Sequence, residues 1–277
     1  MIHVENLTYS YPRAQEPALK DLDLDIPQGQ FCAVAGANGA GKSTLCYALT
    51  GFVPHFYHGT LAGKVQVAGK DVPETPLAEL AGERGLVFPN PFNQITGARF
   101  TVREEVAFGL ENLGVPRDEM TGRVTEALAL TGLAELAGRS PLALSGGQQQ
   151  RLAIASVIVM RPRVLVLDEP TAQLDPVGTR EVFAVLSELA AGETTVVLTE
   201  HKLEWIAVFA HRLILLVDGQ IAADGPPQEV LAAADLEQVG LSPTRYTQVA
   251  RQAQARGLVP PATPLPVTLE QAVGFFQ

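Results

Sequence analysis

The chain has 277 residues, of which 47% are hydrophobic and 18% are charged, and its formal net charge is −10. This length and composition predict one large domain, or a domain with a small appendage, around a sizeable core. The acidic balance argues against a nucleic-acid-wrapping surface, which is usually basic. No stretch approaches the roughly 18 apolar residues that span a bilayer, and residues 1–5 lack a secretory-signal pattern. We therefore expect a cytoplasmic protein that reaches a membrane only through partner subunits.

The first part of the chain predicts strands that lead into a phosphate-binding loop. Hydrophobic and polar residues alternate over residues 2–9 and, more loosely, over 19–26, as in half-buried strands. The apolar run 31–35 predicts a buried strand, and residues 45–49 predict a helix. Between them, residues 36–44 read Gly-Ala-Asn-Gly-Ala-Gly-Lys-Ser-Thr. This segment, the phosphate loop, has the spacing and the strand–loop–helix setting of a nucleotide-binding P-loop.

The residue types of the phosphate loop suit a triphosphate. Its glycines allow successive backbone N–H groups to point at phosphate oxygens, beside the positive end of a helix. We predict that Lys42 reaches the β- and γ-phosphates and that the Ser43 hydroxyl coordinates Mg²⁺. A plain glycine-rich surface loop is the alternative, but it accounts for neither the Lys-Ser pair nor the flanking pattern. The loop residues that we predict to bind ATP on this basis are Gly36, Gly39, Ala40, Gly41, Lys42 and Ser43.

Further along the chain, predicted strands alternate with predicted helices, which indicates a parallel sheet in an α/β fold. Strands are predicted at residues 64–68, 164–167, 195–198 and 213–217, and helices within residues 102–160 and at 176–191 and 202–210. Asp218-Gly219 predicts a hairpin that leads to a last strand at 221–223. Beyond Gly240, five prolines interrupt short helical segments at 244–256 and 269–276, which predicts a small appendage. Cys32 and Cys46 both lie in apolar segments and are predicted to be small core residues in a reducing compartment.

Asp168 and Glu169 directly follow the predicted strand at 164–167. The carboxyl end of a buried parallel strand faces the ligand crevice of an α/β sheet. We predict that Asp168 holds Mg²⁺, directly or through water, and that Glu169 is the general base that polarises the attacking water. A solvated strand end is the alternative, which the presence of Lys42 upstream disfavours.

The run Leu144, Ser145, Gly146, Gly147 and Gln148, the signature loop, decides the class. A Ser hydroxyl and flexible Gly-Gly amides at a helix start form a second anion-binding site, although an ordinary Ser N-cap is the alternative. The run resembles the signature of ATP-binding cassette (ABC) ATPases, and the order of the main motifs over about residues 1–240 fits that family. In this family the signature closes over the γ-phosphate held by the partner's phosphate loop. The resemblance therefore implies that ATP joins two cassettes head to tail.

The resemblance assigns further residues. Tyr11 matches the aromatic residue that stacks on adenine, although either Tyr9 or Tyr11 can also be an ordinary strand residue. Asp175 ends a segment, residues 172–175, that resembles the loop crossing the dimer interface; we name it the interface loop. His201 matches the switch histidine that contacts the γ-phosphate. Two further residues complete the ATP-binding phosphate loop as in many family members: Asn38 and Thr44.

The implied architecture is a P-loop NTPase of the ABC nucleotide-binding type. It combines a mostly parallel core sheet with an antiparallel β subdomain and an inserted helical subdomain at about residues 91–161. The ATP-binding domain is expected to cover residues 1–240, and residues 241–277 are expected to form a C-terminal extension.

Finer features resemble energy-coupling factor (ECF) transporter ATPases, namely residues 90–94, 106–112, Thr199-Glu200-His201 and the tail that begins Leu241-Ser242-Pro243. This implies an ATP- and Mg²⁺-dependent motor on the cytoplasmic side of a membrane. Its partners would be a second ABC ATPase subunit, in a homo- or heterodimer, a transmembrane coupling subunit and a substrate-binding membrane protein for a vitamin or metal ion. No nucleic-acid partner is expected, because the long coiled-coil insertion and basic groove of DNA-repair cassettes are both missing.

One residue departs from the family pattern. The family normally has Gln before Asn-Pro, whereas this chain has Pro89, which offers no side-chain donor or acceptor. Gln94 is too far along the chain to be assumed a substitute. A cassette that binds ATP and dimerises with impaired hydrolysis therefore remains an alternative. A conventional importer ATPase is a second alternative, against which only the tail and the Thr199-Glu200-His201 context argue. His55 and His58 have no ligand-like spacing and are interpreted as surface residues.

Overall fold

A computed structural model describes residues 1–233 and 235–277. Its strands are β1 (Ile2–Ser10), β2 (Leu19–Ile26), β3 (Phe31–Ala35), β4 (Thr60–Val67), β5 (Lys70–Asp71), β6 (Arg84–Val87), β7 (Val164–Asp168), β8 (Thr195–Thr199), β9 (Arg212–Val217) and β10 (Gln220–Gly225). Its α-helices are α1 (Lys42–Thr50), α2 (Phe52–His55), α3 (Leu77–Leu80), α4 (Val102–Asn112), α5 (Arg117–Leu130), α6 (Gly146–Ile158), α7 (Pro176–Ala191), α8 (Leu203–Phe209), α9 (Pro227–Ala233), α10 (Arg245–Ala255) and α11 (Leu269–Phe275). None of the helices in these described ranges is long and apolar enough to cross a bilayer.

The larger sheet has the strand order β10-β9-β3-β8-β7-β6. All neighbouring strands run parallel except β10, which returns antiparallel to β9 after the predicted Asp218-Gly219 turn. Every residue of β3, β7 and β8 is buried, as their continuous apolar runs predict for strands covered on both faces. The predicted parallel α/β core is therefore confirmed.

Alternate residues of the central strands face two separate cores. Phe31 and Ala33 pack with the helices that follow β6, whereas Cys32 and Val34 pack with α1 and with the smaller sheet. The smaller sheet is antiparallel, with the strand order β2-β1-β4-β5. It corresponds to the antiparallel subdomain that the family resemblance implies.

The helices α4, α5 and α6 occupy the chain between β6 and β7. The first of them begins with a capping box, in which the Thr101 side chain accepts from the Glu104 N–H and the Glu104 carboxylate accepts from the Thr101 N–H. Helical structure is thus found where it was predicted, within residues 102–160. The exact subdomain limits, about 91–161, and the division at residue 240 remain predictions.

The C-terminal helices α10 and α11 lie in the segment predicted as an extension. The Thr247 hydroxyl donates to the carbonyl oxygen of Pro266 at 2.8 Å and so ties α10 to the proline-rich turn before α11. The Arg245 side chain, at the start of α10, lies 3.3 Å from the Glu204 carboxylate of α8. The first contact holds the extension together, and the second docks it beside α8.

Both cysteines are free and buried, as predicted. Cys32 lies in β3 and Cys46 in α1. Burial raises the pKa of the Cys32 thiol to about 12 and raises that of the Cys46 thiol well above its usual value. Both thiols therefore stay protonated at neutral pH and are poor nucleophiles.

Candidate active site

The phosphate loop connects the end of β3 to the start of α1. Gly41 has φ 100°, and a Cβ atom built there would lie 2.7 Å from the carbonyl oxygen of Ala18. A Cβ atom at Gly36 would lie 2.4 Å from the carbonyl oxygen of Leu216. Both positions require glycine because neighbouring backbone leaves no room for a side chain. The loop is thus fixed by the strands beneath it.

Lys42, the first residue of α1, is buried and points back into the phosphate loop. Its Nζ donates to the carbonyl oxygens of Gly36 at 2.9 Å and Ala37 at 3.1 Å. A buried ammonium group is stabilised by such acceptors, since it has lost its water. The positive charge is therefore held inside the loop, where it can attract a phosphate group.

Asp168 is the last residue of β7 and is paired with Thr199, the last residue of β8. The Thr199 hydroxyl donates to Asp168 Oδ1 at 2.6 Å. Asp168 Oδ2 is buried and has no hydrogen-bond partner within the part of the chain that the structure describes. An unpartnered carboxylate oxygen of this kind is a suitable ligand for a hard divalent cation. The donor chemistry of Asp168, together with the partly exposed Ser43 hydroxyl in the phosphate loop, fits Mg²⁺.

Glu169 has the left-handed conformation, with φ 48°, which few residues other than glycine adopt. Its backbone N–H donates to the carbonyl oxygen of Thr199 at 3.1 Å and to the Thr199 hydroxyl at 3.0 Å. Its Oε1 lies 2.8 Å from His201 Nε2 and 3.8 Å from Lys42 Nζ. His201 and Lys42, each predicted from a separate motif, therefore meet at the Glu169 carboxylate.

Tyr9 and Tyr11 have different environments, which separates the two candidates for the aromatic role. The Tyr9 side chain is fully buried, and its hydroxyl donates to the carbonyl oxygen of Tyr57 at 2.8 Å. Tyr11 lies just after β1, is half-buried and packs edge-on against Tyr9 with 4.9 Å between ring centroids. The Tyr11 hydroxyl lies 3.2 Å from the Thr44 hydroxyl, beside the phosphate loop. Tyr9 is thus a core residue, and Tyr11 is the one placed near the predicted nucleotide site.

The signature loop lies at the start of α6. Ser145 Oγ accepts from the Gln148 N–H at 3.4 Å, and Gln148 Oε1 accepts from the Ser145 N–H at 3.0 Å. Ser145 is therefore an N-cap residue, as the alternative interpretation predicted. Ser145 and Gly146 are exposed, whereas Leu144 is buried. Capping does not exclude a role towards another chain's nucleotide, and that role remains a prediction.

The interface loop precedes α7. Asp175 caps this helix, because its Oδ1 accepts from the Gly178 N–H at 2.7 Å. Ala172 and Gln173 are exposed. The loop thus begins near Glu169 and ends at a well-capped helix.

Four residues at the site were not predicted to have roles of their own: Thr171, Thr199, Glu200 and Lys202. The Thr199 hydroxyl hydrogen bonds both Asp168 and Glu169. In the sequence, only its position at the end of a predicted strand could have indicated this role. The sequence singles out Glu200 only as part of a subgroup motif, yet its side chain is 2% exposed. Buried carboxylates are uncommon unless they are well hydrogen-bonded.

Pro89 is half-buried and follows Phe88, the first residue after β6. The Gln94 side chain is engaged within the chain, because its Oε1 accepts from the Phe88 N–H at 3.3 Å and its Nε2 donates to the carbonyl oxygen of Ala153 at 3.0 Å. It joins β6 to α6. His58 is exposed, as predicted, but His55 is half-buried, with Nε2 2.9 Å from the carbonyl oxygen of Val72. The surface interpretation of His55 was therefore wrong, because α2 packs this ring against the strand region.

Comparisons with known proteins find similar sequences and similar folds. The ABC transporter family model matches residues 19–172. The energy-coupling factor transporter ATP-binding protein EcfA1 of Lacticaseibacillus paracasei is 43% identical over 265 residues, covering 94% of this chain and 92% of that protein. The structure of cbiO1 from Clostridium perfringens, described as part of the ABC transporter complex cbiONQ, has a TM-score of 0.76 at 32% identity and covers 92% of this chain and 94% of its own. The ATP-binding cassette MJ0796, solved as a dimer in a post-hydrolysis state with ADP and Pi, has a TM-score of 0.71 at 28% identity. The match covers 82% of this chain and 99% of the MJ0796 chain.

Proposed function

Because this chain belongs to the ABC transporter family and is an ATPase of that family, we propose that it drives an energy-coupling factor importer for a vitamin or a metal ion. The similarity to EcfA1 covers 94% of the chain and so includes more than half of residues 241–277. That tail is one of the features that favour the ECF type over a conventional importer. The transported solute would be recognised by a separate membrane protein.

The observation that carries the hydrolytic role is the meeting of Lys42, Glu169 and His201. Glu169 Oε1 lies within 2.8 Å of the histidine ring and 3.8 Å of the ammonium group. A carboxylate in this position can accept a proton from an attacking water. The Lys42 ammonium group and the His201 ring can stabilise charge on the transferring phosphoryl group. Positioning and charge neutralisation are the main contributions that a protein makes to this reaction.

The proposed sequence of events uses the residues in a fixed order. ATP binds between the Tyr11 ring and the phosphate loop, and Lys42 exchanges its loop carbonyls for phosphate oxygens. Two cassettes then close, with the signature loop of each over the nucleotide of the other, and Asp175 and its neighbours lie at their interface. Glu169 and His201 organise in-line attack on the γ-phosphate. Asp168 and Ser43 would hold Mg²⁺, which supplies positive charge to the phosphate oxygens when bound.

Exposed aromatic side chains near Pro89 support contact with a transmembrane coupling subunit. Phe56 is 61% exposed, and so is Phe92, which lies three residues after Pro89. Phe56 packs on Phe52, which in turn contacts Phe88 just after β6. Clustered apolar groups on a surface commonly mark sites of protein contact. We assign this surface to the membrane partner, which would hold the ATPase at the cytoplasmic side of the membrane.

A second candidate function rests on Pro89 alone. A cassette without the usual Gln can bind ATP and dimerise yet hydrolyse slowly. A phosphate-release assay on the purified chain separates the two, because the motor function requires turnover and the dimerisation module does not.

Glu169→Gln provides the main test of the proposed function. This isosteric change removes the general base, so turnover should fall by about 10²- to 10³-fold, and size-exclusion chromatography with ATP should show a dimer. Glu188→Gln, at an exposed position of α7, is the matched control and should behave like the parent. A Glu169→Gln chain that stays monomeric with saturating ATP contradicts the head-to-tail arrangement.

The ECF assignment is tested by reconstitution. A tagged chain should co-purify from detergent-solubilised membranes with a multispanning coupling subunit, and Phe92→Asp should weaken that association. Uptake into vesicles should then require no soluble substrate-binding protein. A strict requirement for one would favour the conventional importer.

A further inference from the structure

Glu200 and Lys202 lie on either side of His201, and the Glu200 side chain accepts three hydrogen bonds. One of its carboxylate oxygens, Oε2, accepts from the Thr171 hydroxyl. The other, Oε1, accepts from the backbone N–H groups of His201 at 2.8 Å and Lys202 at 3.3 Å. This buried side chain therefore joins the loop after β8 to the residue that precedes the interface loop.

Lys202 binds the same segment of the chain. Its Nζ donates to the carbonyl oxygens of Thr171 at 2.9 Å and Leu174 at 3.3 Å, and to the Thr179 hydroxyl at 2.8 Å. An ammonium group has three donors, and here all three are used. Lys202 thus fixes both ends of the interface loop and the first turn of α7.

The interface loop in turn lies against the signature loop. A Cβ atom at Gly147 would lie 3.2 Å from Leu174 Cδ2, and one at Gly146 would lie 3.4 Å from Gln173 Oε1. His201, between Glu200 and Lys202, contacts Glu169. A continuous series of contacts therefore runs from the proposed general base to the start of α6.

We propose that Glu200 and Lys202 are positioning residues that fasten the signature loop of a subunit to that subunit's own hydrolytic site. The two regions then move as one unit when cassettes meet. This inference rests on the proposed function, in which the signature loop of each subunit acts on the nucleotide of the other. In that function neither Glu200 nor Lys202 is assigned a contact with ATP, and both act through their neighbours.

Nucleotide binding and dimer assembly should therefore depend on different residues. In the proposed function a single subunit binds ATP through the phosphate loop and Tyr11. Within the described residues, the Lys202 ammonium group makes no hydrogen bond to either of them. Assembly requires the interface and signature loops in a defined geometry. Removal of Lys202 should therefore leave ATP affinity unchanged and weaken the ATP-bound dimer.

The test uses the Glu169→Gln chain, in which the ATP-bound dimer should persist. Sedimentation velocity over a range of protein concentrations gives its dissociation constant for the parent, Lys202→Met and Lys202→Arg. Lys202→Met keeps the apolar stem and loses all donors, so the dissociation constant should rise by about tenfold or more. Lys202→Arg keeps the charge and donors and should recover most of the loss. Fluorescent ATP-analogue binding to the monomers should change by less than about twofold.

Equal dissociation constants for Lys202→Met and its parent would overturn the inference. Failure of the Glu169→Gln parent itself to dimerise with ATP would overturn the proposed function and this inference with it. If Lys202→Met does not fold, Thr179→Val replaces it, since this near-isosteric change removes one acceptor of Lys202 and should give a smaller shift in the same direction.

Glu200 is tested in the chain that retains Glu169. Glu200→Gln keeps the oxygen that accepts from the His201 and Lys202 N–H groups, so turnover should stay near that of the parent. Glu200→Ala should lower kcat by about tenfold with an unchanged KM for ATP. Equal losses in the two variants would contradict a positioning role, because they would assign the effect to the charge itself.

Discussion

The phosphate loop and the signature loop both lie at the start of a helix, but they differ in what surrounds them. The phosphate loop is enclosed by its own chain: Gly41 abuts the Ala18 carbonyl, and Lys42 is buried against the Gly36 carbonyl. In the signature loop, Ser145 and Gln148 hydrogen bond each other, and Ser145 is exposed. The two surroundings therefore suit motifs of similar composition to different tasks: the first suits a ligand held within one subunit, and the second fits the proposed contact with a ligand presented by another.

Gly41→Ala tests the enclosed loop. A methyl group 2.7 Å from a backbone carbonyl, at φ 100°, forces the loop to shift. We expect ATP affinity to fall by about 10²-fold, measured by titration with a fluorescent analogue. Gly122→Ala is the control, since this exposed glycine of α5 has open space around it. Unchanged affinity in Gly41→Ala would show that the loop is not fixed by its surroundings.

Ser145→Arg tests the exposed loop. The change places a bulky cation where the partner's nucleotide is proposed to lie, so turnover should fall by about tenfold or more, while ATP binding to the monomer stays within about twofold. Loss of the N-cap should cost about 1 kcal/mol of stability, which thermal unfolding will detect. Thr125→Arg, on the exposed face of α5, is the matched control. A parallel loss of monomer binding in Ser145→Arg would remove the distinction between the two loops.

Pro89→Gln tests the segment between these two regions. It restores a side-chain amide where the family normally has one, so ATP affinity should stay similar and turnover should rise. Steady-state phosphate release gives both values. A clear drop in turnover for pure, folded protein would refute the idea that Pro89 is a functional handicap.

His3→Gln affects neither loop and should give the smallest effect. Hydrogen bonds to Asp25 and Glu5 raise the pKa of His3 in the folded chain. The stability that this histidine contributes is therefore fully present below its unfolded pKa of about 6.5 and is lost as pH rises through the folded value. Denaturant unfolding should show His3→Gln slightly less stable than the parent at pH 5.5 and equal to it at pH 9. A difference that grows towards pH 9 would contradict this sign.

The sequence predicted regular elements well where local signals were complete. Helix α7 was predicted at its observed limits because Asp175, Pro176 and Gly192 mark its ends. Strand β4 begins at Thr60, four residues before its predicted start, because residues 60–63 lack an apolar alternation and gain their order by pairing with β1.

The site was less accessible to sequence reasoning because it depends on strand order. Strand β8 lies between β3 and β7, so the loops that carry His201, Lys42 and Glu169 emerge side by side. Each residue was predicted from its own motif, whereas their meeting follows from the sheet. Nothing near Lys202 in sequence indicates that its ammonium group reaches Thr171.

The buried thiols of Cys32 and Cys46 have a practical consequence. Since both are protonated at neutral pH and shielded from solvent, they should react slowly with maleimides in the folded chain. Single cysteines introduced at exposed positions outside both loops, such as Thr125 and Glu188, can therefore be labelled selectively without replacing the native pair. Energy transfer between two such dyes on different subunits would follow the approach of the cassettes during each catalytic cycle.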